Sequence, residues 1–135
     1  MVRSLRSGNF ISYFPDQDHG AKHSVFAPFF GHPAATVTAL ARLIKMSKVP
    51  VVPLMCTRNA DGSGYSLKVL PVWENYPTGD DKADALTLNQ HVEKCVLEQP
   101  DQYLWIHRRF KSRPESGPPT YDLPKRRSRK RVKNQ

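Results

Sequence analysis

This chain is short of several things, and each shortage removes a class of protein. It holds only two cysteines, Cys56 and Cys95, in 135 residues. They stand far apart in a chain without a secretory leader, so the expectation is two reduced core thiols rather than a disulfide. No stretch approaches the roughly 18 apolar residues that a membrane-spanning helix needs. The opening MVRSLRSGN is too short and too polar for a signal peptide. No G-x-S-x-G elbow occurs, and neither cysteine is expected to have a neighbouring histidine or helix cap that would activate it. The sequence therefore argues against a stand-alone hydrolase. Acidic residues are also scarce: 12 against 21 lysines and arginines, a net charge of +9.

What is plentiful is proline, with 12 residues, which points to many loops and short elements. Hydrophobic residues make up 39%, enough for a modest single-domain core. The positive charge is uneven. Residues 113–135 hold eight basic and two acidic residues, so most of the excess lies in a proline-rich tail expected to be disordered. Such a tail suits an anionic partner: nucleic acid, anionic lipid or an acidic protein.

Periodicity predicts the elements. Val2 and Leu5 share one helix face, with Gly8 placed just past a helix end, so the chain reads as beginning inside a helix. NFISYF, residues 9–14, reads as a strand. Gly31-His32-Pro33 opens a helix running to Ser47, with Pro33 at its first position. The apolar VPVVPLMC, residues 49–56, reads as a buried strand, although Pro50 and Pro53 push it towards an edge. Strand, helix and strand would form a right-handed βαβ unit. NADGSG then turns the chain back into a hairpin through residues 65–74. Thr78, Asp80 and Asp81 start a helix whose apolar positions are Ala85, Leu88, Val92, Cys95 and Val96, and Pro100 ends it. QYLWIHRRFK, residues 102–111, reads as a short aromatic strand. The fold class is thus α/β, a mixed sheet with flanking helices.

One stretch carries most of the chemistry: FPDQDHGAKHSVFAPFFG, residues 14–31. It sets Asp16, Asp18, His19 and His23 beside the apolar Val25, Phe26, Phe29 and Phe30. A metal site is disfavoured, because Pro15 and Gly20 make this a loop, where the i, i+4 spacing of the histidines loses its meaning. The aspartates would otherwise bond turn amides, or bind a sugar hydroxyl or orient a base. The phenylalanines serve either as an apolar lip or as plain core. Arg108 and Arg109 are either a solvated strand end or a bidentate phosphate clamp.

Four blocks together carry a resemblance: FPDQDHGAKHSVFAPFFGHPAATVTALARLIKMS, VPVVPLMCTRNADGSGYSLKVLPVWENYPTGDD, ADALTLNQHVEKCVLEQPDQYLWIHRRFKSRPE and, more loosely, SGPPTY. In this order they resemble the C-terminal half of the late acyltransferases of lipid A biosynthesis, the lauroyl/myristoyl transferase family. The resemblance implies a partial glycerolipid-acyltransferase-like fold missing its N-terminal half, with residues 1–112 as the C-terminal portion of the domain and 113–135 as a basic tail. It implies fatty acyl transfer from acyl carrier protein to a phosphorylated glycolipid acceptor, without cofactor or metal, at the cytoplasmic face of the bacterial inner membrane. In that family a histidine, oriented by an acid five residues on, acts as general base. Here His19, His23, His32, His91 and His107 are followed at that spacing by Ser24, Pro28, Val37, Val96 and Ser112. The implication is a truncated form, peripheral at the membrane surface and inactive alone, that has no catalytic residue of its own. Its substrate-binding residues would be Asp16, Asp18, His19, Phe29, Phe30, Arg108 and Arg109. The alternative, resting on the tail, is a small basic nucleic-acid-binding module.

Overall fold

The computed structural model describes residues 1–115 and 121. The expected basic tail therefore lies almost wholly outside the described residues. The elements are α1 (Val2–Arg6), β1 (Ser24–Phe29), β2 (His32–Val37), α2 (Ala39–Ser47), β3 (Leu54–Arg58), β4 (Tyr65–Val69) and α3 (Asp81–Glu98). Single 3-10 turns cover Ala21–His23 and Pro100–Gln102.

The sheet is not the one expected. Among the described residues two separate two-stranded antiparallel sheets replace a single mixed sheet, and no βαβ unit forms. The cause is local. Phe30 and Gly31 both take positive φ, at 48° and 75°, the geometry of a two-residue hairpin turn. β1 folds straight back into β2, with Phe29 opposite His32. Residues 32–37, expected to start a helix, are therefore a strand. Pro28 and Pro33 face each other one step from the turn. In an alternating antiparallel ladder that step exchanges no main-chain bonds, so the prolines remove none. Residues 9–14 form no strand among the described residues, and Phe10 and Phe14 stay exposed. Aromatic and β-branched composition makes a strand only where a partner edge is at hand.

The helix follows the hairpin. α2 starts only after Thr38 and buries Leu40, Ala41 and Ile44. The second hairpin forms as expected, with Leu54 opposite Val69 and Arg58 opposite Tyr65, but β3 starts later than residue 49. Residues 51 and 53 still accept main-chain bonds from Trp73 and Leu70 at 3.0 Å. α3 also forms as expected. Asp80 caps it, accepting from the amides of Lys82 (2.8 Å) and Ala83 (3.3 Å). Residues 102–111 form successive turns rather than a strand, and Gln102 meets the Arg58 main chain through its side chain rather than its own main chain.

Two packed zones hold the chain together. Leu40, Ile44 and Leu88 form one, covered by Tyr13, Val49, Val51, Trp73 and Tyr76. The other lies where α3 crosses the first hairpin. Ala27, Ala34, Ala35 and Ala85 are buried there, and their small side chains let helix and strands approach closely. Both cysteines are free, but the expected core placement fails: Cys56 is exposed on β3 and Cys95 is half-buried.

Candidate functional site

The crossing of α3 over the first hairpin creates a buried polar knot. Asn89 lies on the apolar stripe of α3 and is buried. Its amide nitrogen donates to the carbonyl oxygens of Pro28 (2.8 Å) and Ala27 (3.3 Å). Its oxygen accepts from Arg109 Nη2 at 2.9 Å. The same Nη2 reaches Thr36 Oγ1 at 2.9 Å, and Nη1 donates to the carbonyl of Ala35 at 2.7 Å. Glu93, one turn on from Asn89, accepts from the Phe30 amide at 2.7 Å and so holds the hairpin tip.

Arg109 is thus no open phosphate clamp. It is 3% exposed, and both terminal nitrogens are engaged. Its guanidinium stands 5.3 Å over the Phe29 ring, a favourable cation–π placement. Burial pushes its pKa down, while Tyr103, Asp18 and Asp16 push it back up. Arg108, its neighbour, points into solvent. Phe29 belongs to no lip either. It is fully buried, between Arg109, Tyr103 and Phe110. Phe30 is half-buried at the hairpin tip, edge-on to Phe29 at 4.8 Å.

The two aspartates take different parts. Asp18 is buried. Its Oδ1 accepts from the Gly20 amide and the Ser112 hydroxyl, both at 2.8 Å, and Oδ2 accepts from the Ser112 amide at 2.7 Å. Those bonds fix the loop to the segment after Arg109 and leave the carboxylate little capacity for a ligand. Asp16 is half-buried, with Oδ2 3.9 Å from His107 Nε2. His107 Nε2 also faces the Asp16 carbonyl at 3.0 Å, while Nδ1 faces the Leu104 carbonyl at 2.6 Å. Which nitrogen donates depends on the tautomer, but the ring sits between the Asp16 loop and the Leu104 turn and so ties two segments together. The Tyr103 hydroxyl lies 3.3 Å from His107 Nε2, and burial, then Asp16, raise its pKa. His19 is exposed.

Asp16, Asp18, Phe29 and Arg109 are therefore brought together, and His107, Ser112, Thr36 and Asn89, which the sequence did not mark as binding residues, join them. Asn89 was discoverable: it is a polar residue at helical spacing among Ala85, Leu88 and Val92. The others had no local signal. His19 and Arg108 stand at the rim. The two cysteines also need a correction. Cys95 does have a histidine beside it, His91 one turn back, with Sγ 3.7 Å from Nε2. Burial raises the thiol pKa and lowers that of the imidazole, which opposes the ion pair a reactive thiolate needs. Among the described residues no group of three or more histidine, cysteine, aspartate or glutamate side chains could hold a metal ion.

A cleft of about 530 Å3 lies elsewhere, lined by Pro53 just before β3, by Leu70, Trp73 and Tyr76 between β4 and α3, and by Thr87 on α3, among others. None of the sequence-named site residues lines it.

Residues 1–112 match the family model described as bacterial lipid A biosynthesis acyltransferase. Over 122 residues the chain is 43% identical to the lipid A biosynthesis lauroyltransferase of Escherichia coli K12, covering 90% of this chain and 40% of that protein. It is 43% identical to the palmitoleoyltransferase of the same strain, covering 84% and 37%. With the myristoyltransferase it shares 37% identity, covering 83% and 35%. The chain thus spans no more than 40% of the length of these relatives. The basic run that suggested a nucleic-acid module lies beyond the matched residues, and neither fold nor comparisons support that reading.

Proposed function

Since the chain belongs to the bacterial lipid A biosynthesis acyltransferase family, we propose that it forms one wall of a site for transfer of a fatty acyl chain from acyl carrier protein to a lipid A precursor. In this reading residues 1–112 are the C-terminal portion of a glycerolipid-acyltransferase-like domain, seated peripherally on the cytoplasmic face of the inner membrane. The observation that carries it is the union of two segments nearly a hundred residues apart. Asp18 holds Ser112, and the Asp16 carbonyl faces His107, so the P-D-Q-D loop and the I-H-R-R-F-K-S segment make one surface.

The roles divide by exposure. Asp16, His19 and Arg108 stand where a phosphorylated sugar could reach them, and Phe30 offers an apolar contact at the hairpin tip. An acyl methylene gains roughly 0.8 kcal/mol when it leaves water. Asp18, Phe29 and Arg109 act from beneath, by holding that surface in place. The acceptor hydroxyl still needs a base to take its proton. His107 ties the Asp16 loop to the Leu104 turn, and none of the five histidines carries an acid five residues on. The isolated chain therefore does not complete the reaction; a polypeptide bearing the family's histidine motif supplies the base.

The test is an acyl-transfer assay with acyl-loaded carrier protein and a phosphorylated glucosamine disaccharide bearing hydroxyacyl chains. The chain alone yields no product, and product appears when the histidine-motif polypeptide is added. Transfer by the chain alone overturns the reading. So does a mixture no more active than the added polypeptide by itself.

A further inference from the structure

Three consecutive apolar residues stand out in solvent. Leu104 is 59% exposed, Trp105 58% and Ile106 86%. A loop free to relax would turn such side chains inward. This one is held at its root. The Gln102 side chain exchanges two bonds with the Arg58 main chain, at 2.7 and 3.0 Å. Tyr103 packs against Phe29. Trp105 Nε1 donates to the Pro100 carbonyl at 2.7 Å, and His107 faces the Asp16 carbonyl. The polar atoms are satisfied at the base while the apolar groups protrude. Exposed Arg108 and Lys111 follow directly, and Phe14, also exposed, lies two residues from Asp16. Of the nearby acids, Asp16 faces His107, Glu98 is paired with Lys68 at 3.0 Å, and Asp101 is exposed before the triplet in the chain.

We infer that Leu104, Trp105 and Ile106 form a wedge that enters an anionic lipid surface, with Arg108 and Lys111 at headgroup level. The inference rests on the acyltransferase reading, which makes the acceptor a lipid, and adds the element that meets the membrane. Charge complementarity selects the occupant. An apolar tip with a tryptophan, flanked by bases on a chain of net charge +9, matches the apolar-then-anionic profile of a bilayer surface. A purely apolar protein contact has no use for the flanking bases. No helix among the described residues is long and apolar enough to cross a membrane, so contact through these residues is by surface insertion.

The experiment uses the full chain and vesicles of phosphatidylethanolamine and phosphatidylglycerol, free of any acyl acceptor, with brominated acyl chains as quenchers. The chain has two tryptophans, so the difference in quenching between the parent and Trp105→Phe isolates the wedge. Trp105 emission is expected to be quenched. Replacing phosphatidylglycerol with phosphatidylcholine should weaken partitioning by about tenfold or more. Leu104→Ser with Ile106→Ser should weaken it by about tenfold or more, with the circular dichroism spectrum unchanged. Vesicle binding without quenching of Trp105 assigns attachment to the basic tail and overturns the inference. No binding at all assigns the loop to a protein contact, with the same result. Because the vesicles hold no acceptor, failure of acyl transfer leaves this outcome untouched.

Discussion

Asn89 shows what a single side chain can decide. It touches Arg109, Thr36 and the carbonyls of the first hairpin at once. Asn89→Ala leaves a buried guanidinium short of an acceptor and strands the Pro28 carbonyl. Such losses cost about 3 kcal/mol, more than a typical surface change, and urea denaturation should read that loss. His91 gives a second residue-scale expectation, in pH. Burial, then Lys94, hold its folded pKa below the ordinary 6.5. The unfolded chain then binds the proton more readily, so stability rises with pH. Melting midpoints should fall as pH drops from above 6.5 through the lowered folded value, and His91→Gln should flatten that slope. A slope unaffected by the substitution would assign it to other groups.

At the scale of elements, the Phe30–Gly31 turn is the deciding feature. It converts an expected helix start into a strand and places β2 under α3. Gly31 has φ of 75°, a region where a β-branched side chain is strained although the space beside it is open. Gly31→Val should cost about 1–2 kcal/mol, seen as a lower midpoint in thermal melts. Gly31→Asn should cost much less, because asparagine tolerates that region. An equal loss from both variants would show that the turn is not the cause.

For the molecule as a whole, the second hairpin is incompletely covered. Leu54, Tyr65, Leu67 and Val69 are all exposed on it, and the register sets Leu54 beside Val69. Both strands are also open edges. Apolar faces with unpaired edges promote association. Leu67→Lys should therefore raise the soluble concentration of the chain without lowering its melting midpoint. Sedimentation and a matched melt check both parts. The same incompleteness agrees with the proposal that a further polypeptide is needed for acyl transfer.

What the residues determined by themselves were features whose cause is short-range or compositional. α1, α3 with its Asp80 cap and Pro100 stop, and the second hairpin with its NADGSG turn all follow from neighbours a few positions apart. Family membership was legible in the P-D-Q-D and Q-Y-L-W-I-H-R-R-F-K blocks. Tertiary structure alone decided the rest. Whether residues 9–14 or 102–111 pair as strands depends on where the rest of the chain places them against a sheet edge, and no local pattern reports that. Whether Arg109 meets solvent or Asn89 depends on α3 crossing the hairpin. Burial is a property of contacts between distant segments, so two adjacent arginines with the same chemistry end with opposite roles, one a buried tie and the other an exposed charge.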